Sequence, residues 1–274
     1  MISILILSYN EQLNLPRCLD SVSWSDDVLV MDSFSTDRTV EIAKAGGARV
    51  MLRAFDHFAG QRNYGLEHGG LKHDWVLHLD ADELVTPALK AELLTTATHA
   101  SFAAYRVASK MMFRERWLKH SGMYPAYQVR FGRRGALRFK MVGHGQRETL
   151  PADEIGTLQE SLLHYSFSKG MDDWHARHEC YAAAEAAENL ALLSERRLSL
   201  RGLFATNPTQ RRRAMKEVSV RLPFRPALRL FYMYILHLGF LDGRVGLLYC
   251  RMLSWYEARI VSNLRALQDQ ATNR

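Results

Sequence analysis

Apolar positions over the first hundred residues fall into short unbroken runs, separated by stretches whose apolar residues recur at helical spacing. Ile2 to Leu7 reads as a strand buried on both faces and ends at Ser8-Tyr9-Asn10-Glu11. Leu13 to Val22 follows as a helix, and Val28 to Met31 as a second buried strand ending at Asp32. Ser35-Thr36-Asp37 offers capping oxygens to a helix through Lys44, which Gly46-Gly47 stops. Ala48 to Leu52 reads as a third strand, Gly60 to His68 as a helix closed by Gly69-Gly70, and Trp75 to Leu79 as a strand entering Asp80-Ala81-Asp82-Glu83. Thr86-Pro87 starts the next helix, with proline where a helix has no use for its N–H. Alternating strands and helices of this kind predict an α/β domain with a mixed, mainly parallel sheet flanked by helices.

Beyond residue 100 the pattern becomes mixed. Strands are expected near Phe102 to Ala108 and Tyr127 to Phe131, then a Gly- and Arg-rich region from Gly132 to Gly145, then a helix from Lys169 to Leu193. Residues 195–226 are basic and broken by Pro208, Pro223 and Pro226. A catalytic domain over 1–195 and a basic helical C-terminal region over 196–274 are therefore expected.

Charge sharpens that division. The net charge of +7 is uneven, because residues 196–274 hold 15 Lys and Arg against 4 Asp and Glu. A positive tail suits nucleic acid, anionic headgroups or an acidic substrate. Cys18, Cys180 and Cys250 are far apart and have neither zinc-ligand nor disulfide-framework spacing, which fits reduced thiols in the cytoplasm. The N-terminal apolar run lacks a basic flank and is too short for a secretory signal. Ala227 to Leu241, the longest apolar stretch, contains Arg229 and His237 and falls short of a bilayer span.

Ligands of open α/β sheets bind at the carboxyl ends of the strands. Three polar clusters are expected there: Ser8-Tyr9-Asn10-Glu11, Asp32-Ser33-Phe34-Ser35-Thr36-Asp37 and Asp80-Ala81-Asp82-Glu83. Each alone also reads as a helix cap or solvated turn. Three carboxylates within four residues repel one another unless a cation offsets them, and Mg²⁺ or Mn²⁺ would leave positions open for a nucleoside diphosphate. No Gly-rich phosphate loop is present, which argues against kinases and dehydrogenases. Gln61-Arg62-Asn63 supplies a cation and amides that could reach the phosphates or the donor sugar, or could simply lie on a helix surface.

The ordered set Ser8-Tyr9-Asn10-Glu11, Met31-Asp32-Ser33-Phe34-Ser35-Thr36-Asp37-Arg38-Thr39, Gln61-Arg62-Asn63 and Leu79-Asp80-Ala81-Asp82-Glu83 resembles glycosyltransferase family 2, and within it the bacterial lipopolysaccharide-core and polysaccharide transferases. The resemblance implies a GT-A fold, a nucleotide-sugar donor, usually a uridine diphosphate sugar, and inversion at the anomeric carbon. It places Tyr9, Glu11 and Asp32 at the nucleoside, Asp37 behind them, Asp80 near ribose and donor sugar, and Asp82 on the metal. Similar transferases carry a Val-His-Glu stretch; here Val142-Gly143-His144-Gly145-Gln146-Arg147-Glu148 departs from that spacing. Glu148 is the favoured base and His144 its competitor. His164 resembles a late metal ligand, and Trp117, Tyr124 and Arg130 are candidates to shape the acceptor pocket.

Residues 221–262 interleave Arg with Phe, Tyr and Trp, which suits a helix in a membrane interface and a lipid-linked acceptor, or a helical subdomain with a basic face. Arg211-Arg212-Arg213 comes with no nucleic-acid motif, so no nucleic-acid partner is expected. The expected protein is a peripheral enzyme on the inner face of the cytoplasmic membrane. The alternatives are a sugar nucleotidyltransferase and an inactive, nucleotide-sugar-binding membrane scaffold.

Overall fold

The computed structural model describes residues 1–142, 145–194 and 208–272. The chain divides into two compact units, Met1–Gly170 and Met171–Arg274. The expected boundary at 195/196 lies outside the described residues.

The first unit opens β1 (Ser3–Ser8), α1 (Leu15–Ser21), β2 (Val28–Asp32), α2 (Thr39–Ala45), β3 (Arg49–Leu52), α3 (Phe58–His68) and β4 (Trp75–Asp80). It continues with β5 (Glu83–Leu84), α4 (Pro87–Thr98), β6 (Ala104–Phe113), β7 (Arg116–Trp117), β8 (Ala126–Arg133), β9 (Phe139–Val142), β10 (Gly145–Glu148) and β11 (Ile155–His164). The main sheet runs β3-β2-β1-β4-β8-β6-β11-β5, with β7 on β6, while β9 and β10 form a separate hairpin. The β3-β2-β1-β4 half is parallel, β8 joins antiparallel to both β4 and β6, and β11 returns parallel to β6. The mixed, mainly parallel sheet matches the sequence pattern; β5, β7, β9, β10 and β11 had no clear signal in it.

β1 explains why the sheet lies in the middle. All six of its residues are buried, with Ile4 and Ile6 in one core and Leu5 and Leu7 in the other. The first core includes Leu15, Leu19, Leu89 and Leu93; the second includes Ala59 and Leu66 of α3. Removing a side chain of this size typically costs about 2–5 kcal/mol. Register then sets the site: Ser8 pairs with Asp32, and Leu7 with Asp80, so three polar strand ends stand at one level.

The second unit is helical: α5 (Met171–Ser194), α6 (Pro208–Arg221), α7 (Arg225–Phe231), a π-helical turn (Tyr232–Leu236), a 3₁₀ turn (Gly239–Asp242) and α8 (Gly243–Thr272). Ala186, Val220 and Leu264 form a small core between α5, α6 and α8. Arg259 pairs with Glu179 at 2.8 Å, and Arg225 with Glu257 at 2.5 Å. Among the described residues no helix is long and apolar enough to cross a membrane.

Candidate active site

The loops after β1 and β2 are knitted together by side chains that the sequence pattern placed at strand ends. Asp32 accepts from Ser8 Oγ (2.8 Å), from the Ser35 amide (2.7 Å) and from Ser35 Oγ (2.5 Å). Ser35 Oγ in turn accepts from the Asn10 amide, and Asn10 Oδ1 accepts from the Thr36 amide, each at 2.8 Å. Asp37 accepts from the amides of Thr39 and Gln12; burial opposes its ionisation, but these bonds hold its carboxyl below the usual range. Asn10 and Phe34 adopt left-handed backbone angles, φ 53° and 61°, a conformation costly for a phenylalanine. Tyr9 and Phe34 stay exposed beside this network.

Two of the three carboxylates of the acidic cluster, Asp80 and Glu83, are offset within the protein by buried arginines. Asp80 Oδ1 accepts from Arg62 Nη2 at 2.6 Å and Asp80 Oδ2 from Arg130 Nη2 at 2.7 Å. Arg130 also donates to Glu83 Oε1 at 2.8 Å, and Glu83 Oε2 accepts from the Asp80 amide at 2.9 Å. Arg62, Arg130 and Glu83 are only 1–3% exposed, whereas the Asp80 side chain keeps 30%. Burial opposes the charge on Asp80, but Arg130 and Arg62 outweigh it and hold the carboxyl well below its ordinary value. Burial pushes Glu83 upward and brings Arg62 down to about 10. His78 lies beneath, held neutral by burial and by the two guanidinium groups, with its ring edge-on to Phe139.

Arg130, a candidate from sequence to shape the acceptor pocket, is instead buried and committed to Asp80 and Glu83. Tyr105 pairs with Phe131 and Arg106 with Val129, so Arg130 is the extra residue of a β-bulge, which turns its guanidinium toward β4. Nor do the Gln61-Arg62-Asn63 side chains point freely toward a donor. Gln61 Nε2 donates to Ser33 Oγ and to the carbonyls of Arg53 and Ala54, while Asn63 exchanges two bonds with the Phe139 backbone. All three tie α3 to its surroundings. Arg62 and Arg130 each keep a buried Nε and Nη1 without a partner among the described residues.

Ala81 is buried, its amide bonded to the Leu7 carbonyl. Asp82 follows and lies 3.4 Å from His164 Nε2, a meeting made by the antiparallel pairing of β5 and β11, in which His164 stands opposite Glu83. Burial disfavours the imidazolium, but Asp82 more than offsets this and raises His164 to about 9. A carboxylate oxygen and an imidazole nitrogen suit Mn²⁺, Mg²⁺ favouring oxygen donors alone, and a metal there would compete with a proton for His164. Among the described residues no group of three or more His, Cys, Asp or Glu side chains is arranged to hold a metal.

Sequence reasoning missed Lys169. Its Nζ pairs with Glu11 Oε1 at 2.5 Å and donates to the Tyr9 carbonyl at 3.2 Å, clamping the β1 loop. Burial still raises Glu11, against the pull of Lys169 and Asn14. A lone lysine before a helix carries no local signal of this role.

On the other side, Glu148 stands opposite Phe139 in the β9–β10 hairpin, which Asn63 ties to α3. His144 lies outside the described residues. Trp117 and Tyr124 meet edge to face at 5.0 Å, with Lys110 Nζ 4.9 Å from the indole centre, and Tyr124 Oη is 3.2 Å from Ser161 Oγ.

Residues 3–147 match the model of glycosyl transferase family 2. An uncharacterized glycosyltransferase of Rickettsia prowazekii is 34% identical over 117 residues, covering 41% of this chain and 39% of the relative. The lipopolysaccharide core biosynthesis glycosyltransferase LpsC of Rhizobium meliloti is 28% identical over 172 residues, covering 60% and 63%. The chain spans about two fifths of the length of the first of these curated relatives. Among solved structures, S. aureus TarS 1–349 superposes with a TM-score of 0.44 at 15% identity, covering 99% of this chain and 91% of that one. The chain belongs to glycosyl transferase family 2, has a GT-A fold, and is related to the bacterial lipopolysaccharide-core and polysaccharide glycosyltransferases.

Proposed function

We propose that the protein is an inverting glycosyltransferase that moves a sugar from a nucleoside diphosphate, with uridine as the expected base, to a lipid-linked saccharide such as lipopolysaccharide core. The observation that carries this reading is that Asp32 and Asp80 end the two strands flanking β1, with Asp82 two residues beyond Asp80, and that two buried arginines hold Asp80 ionised. The nucleoside lies against Ser8, Tyr9, Asn10, Glu11, Asp32, Ser33 and Ser35, with Asp37 fixing the loop. Asp80 accepts from ribose or donor-sugar hydroxyls. Asp82 and His164 are the residues that would hold a divalent cation, which when bound would supply positive charge to offset the leaving diphosphate.

Glu148, with His144 as its competitor, removes the proton of the acceptor hydroxyl. The new glycosidic bond forms as the anomeric carbon–phosphate oxygen bond breaks on the opposite face, which inverts the centre. Trp117 and Tyr124 offer aromatic surface on which an acceptor sugar can stack. The exposed basic and apolar residues of the C-terminal unit dock the enzyme on the inner face of the cytoplasmic membrane, where a lipid-linked acceptor resides.

A thermal-shift panel of nucleotide sugars with and without Mn²⁺ tests the donor side, since a ligand that prefers the folded state raises its melting temperature by mass action. A uridine diphosphate sugar with Mn²⁺ should give the largest shift. Release of nucleoside diphosphate that survives both Asp82→Ala and chelation would refute the metal assignment.

A further inference from the structure

Among the described residues, twenty-four large apolar side chains are exposed, and twelve of them fall between Leu222 and Leu248. That concentration, in about a tenth of the chain, is far above the scatter of single exposed apolar residues normal for a protein surface. The residues do not lie along one helix. Phe224, at 82% exposure, precedes α7 with a left-handed φ of 54°; Leu236, at 61%, ends the π-helical turn; Leu238 is again left-handed, at 58°; Leu241, at 58%, sits in the 3₁₀ turn. Gly243, at φ 68°, then starts α8. The backbone breaks repeatedly, and the apolar tips stand at the breaks.

We infer that this cap, residues 222–248, is a shallow wedge that inserts into the headgroup region of an anionic phospholipid bilayer, and that the rest of α8 stays out of it. The inference rests on the membrane reading above and locates the contact. Beyond the cap, Met252, Ile260 and Leu264 of α8 are buried, and Arg259 is committed to Glu179. Of the two expectations for residues 221–262, a helix in a membrane interface and a helical subdomain with a basic face, the long α8 fits the second and the cap carries the exposed apolar surface of the first.

Charge selects the occupant. From Leu222 to Arg251 the cations left to face a partner are Arg229, Arg244 and Arg251, against Asp242, because Arg225 is committed to Glu257 at 2.5 Å. A second copy docking by two-fold symmetry would set this patch against itself, arginines facing arginines. Anionic headgroups instead attract each arginine while the acyl boundary takes the apolar tips. Phe224 also walls a groove of about 720 Å³ whose other sides include Val261, Ala266, Arg265 and Asp269, so apolar surface continues past the tip.

The test is sedimentation of the purified full chain with vesicles of phosphatidylcholine alone or with roughly 30% phosphatidylglycerol, at low and high salt. Binding should favour the anionic vesicles and weaken with salt. The variant F224S/L236S/L241S should lose about 10-fold or more in partitioning, with an unchanged circular-dichroism spectrum and unchanged donor hydrolysis in solution. R229Q/R244Q/R251Q should lose the preference for phosphatidylglycerol. Binding of the serine variant equal to that of the parent overturns the wedge while leaving the membrane reading in place. Absence of any vesicle binding by the parent overturns both. A parent dimer that the serine variant dissolves assigns the surface to a second copy and overturns the wedge.

Discussion

His164 Nε2 lies 3.4 Å from a carboxylate oxygen of Asp82, and the pairing of β5 with β11 is what brings these two distant stretches of chain together. Because Asp82 raises His164 to about 9, the pair's contribution to stability is complete below the unfolded histidine value, about 6.5, and is lost as pH rises through about 9. The stability gap between the parent and Asp82→Asn should be on the order of 1–3 kcal/mol at about pH 6 and shrink by about pH 10. Denaturant melts at both pH values measure it, and a gap that does not change with pH would remove the pair from the account. Mn²⁺ should stabilise the parent more at the higher pH, where it no longer competes with a proton.

Arg130→Ala should cost about 3–5 kcal/mol, because it leaves Glu83 buried without its cation and Asp80 with one arginine. Urea unfolding at neutral pH gives the value. A loss under about 1 kcal/mol would show that water readily replaces the guanidinium.

Glu148→Gln should lower sugar transfer by about 10²–10⁴-fold while leaving nucleotide-sugar affinity unchanged. Single-turnover assays with a transferable acceptor, run beside His144→Gln, decide between the two bases. The one whose loss lowers the chemical step, with donor affinity intact, is the base.

Lys169→Met should weaken donor binding by about 10-fold, because the β1 loop loses its tie at Glu11 and at the Tyr9 carbonyl. Calorimetric titration with uridine diphosphate checks this. Removing the lysine also removes the charge that opposes burial at Glu11, so the carboxyl should titrate higher still. Affinity equal to that of the parent would mean the loop holds its shape through Asp32 and Ser35 alone.

Legibility in the sequence followed locality. β1 and β2 are apolar runs and β4 is one interrupted only by His78, and each ends in polar residues, so both the parallel half-sheet and the level of Ser8, Asp32 and Asp80 could be read from pattern. The N-cap at Thr86 was equally plain, and its Oγ1 accepts from the Leu89 amide at 3.1 Å. β5 is two residues long and carries no periodicity, so nothing local announced that it would pair with β11 and present His164 to Asp82. The bulge at Arg130 shifts register by one residue within an ordinary strand, and composition does not record such a shift. The arginines misled for the same reason: an isolated Arg resembles a surface or ligand group, and only the tertiary fold shows that Arg62 and Arg130 lie beneath Asp80.

Those two arginines also decide what Asp80 will refuse. Each oxygen of its carboxylate already accepts one guanidinium N–H, and a carboxylate has room for about four such bonds. The side chain keeps 30% exposure, and its ionised oxygens have no proton to offer. A hydroxyl can satisfy them, whereas an ether, a keto group or a deoxygenated carbon cannot, and an approaching oxygen without hydrogen is repelled. On the proposed placement of Asp80 at the donor, a pair of cations that need never touch the substrate would turn one aspartate into a filter for hydrogen-bond polarity, reading a sugar by the protons it brings.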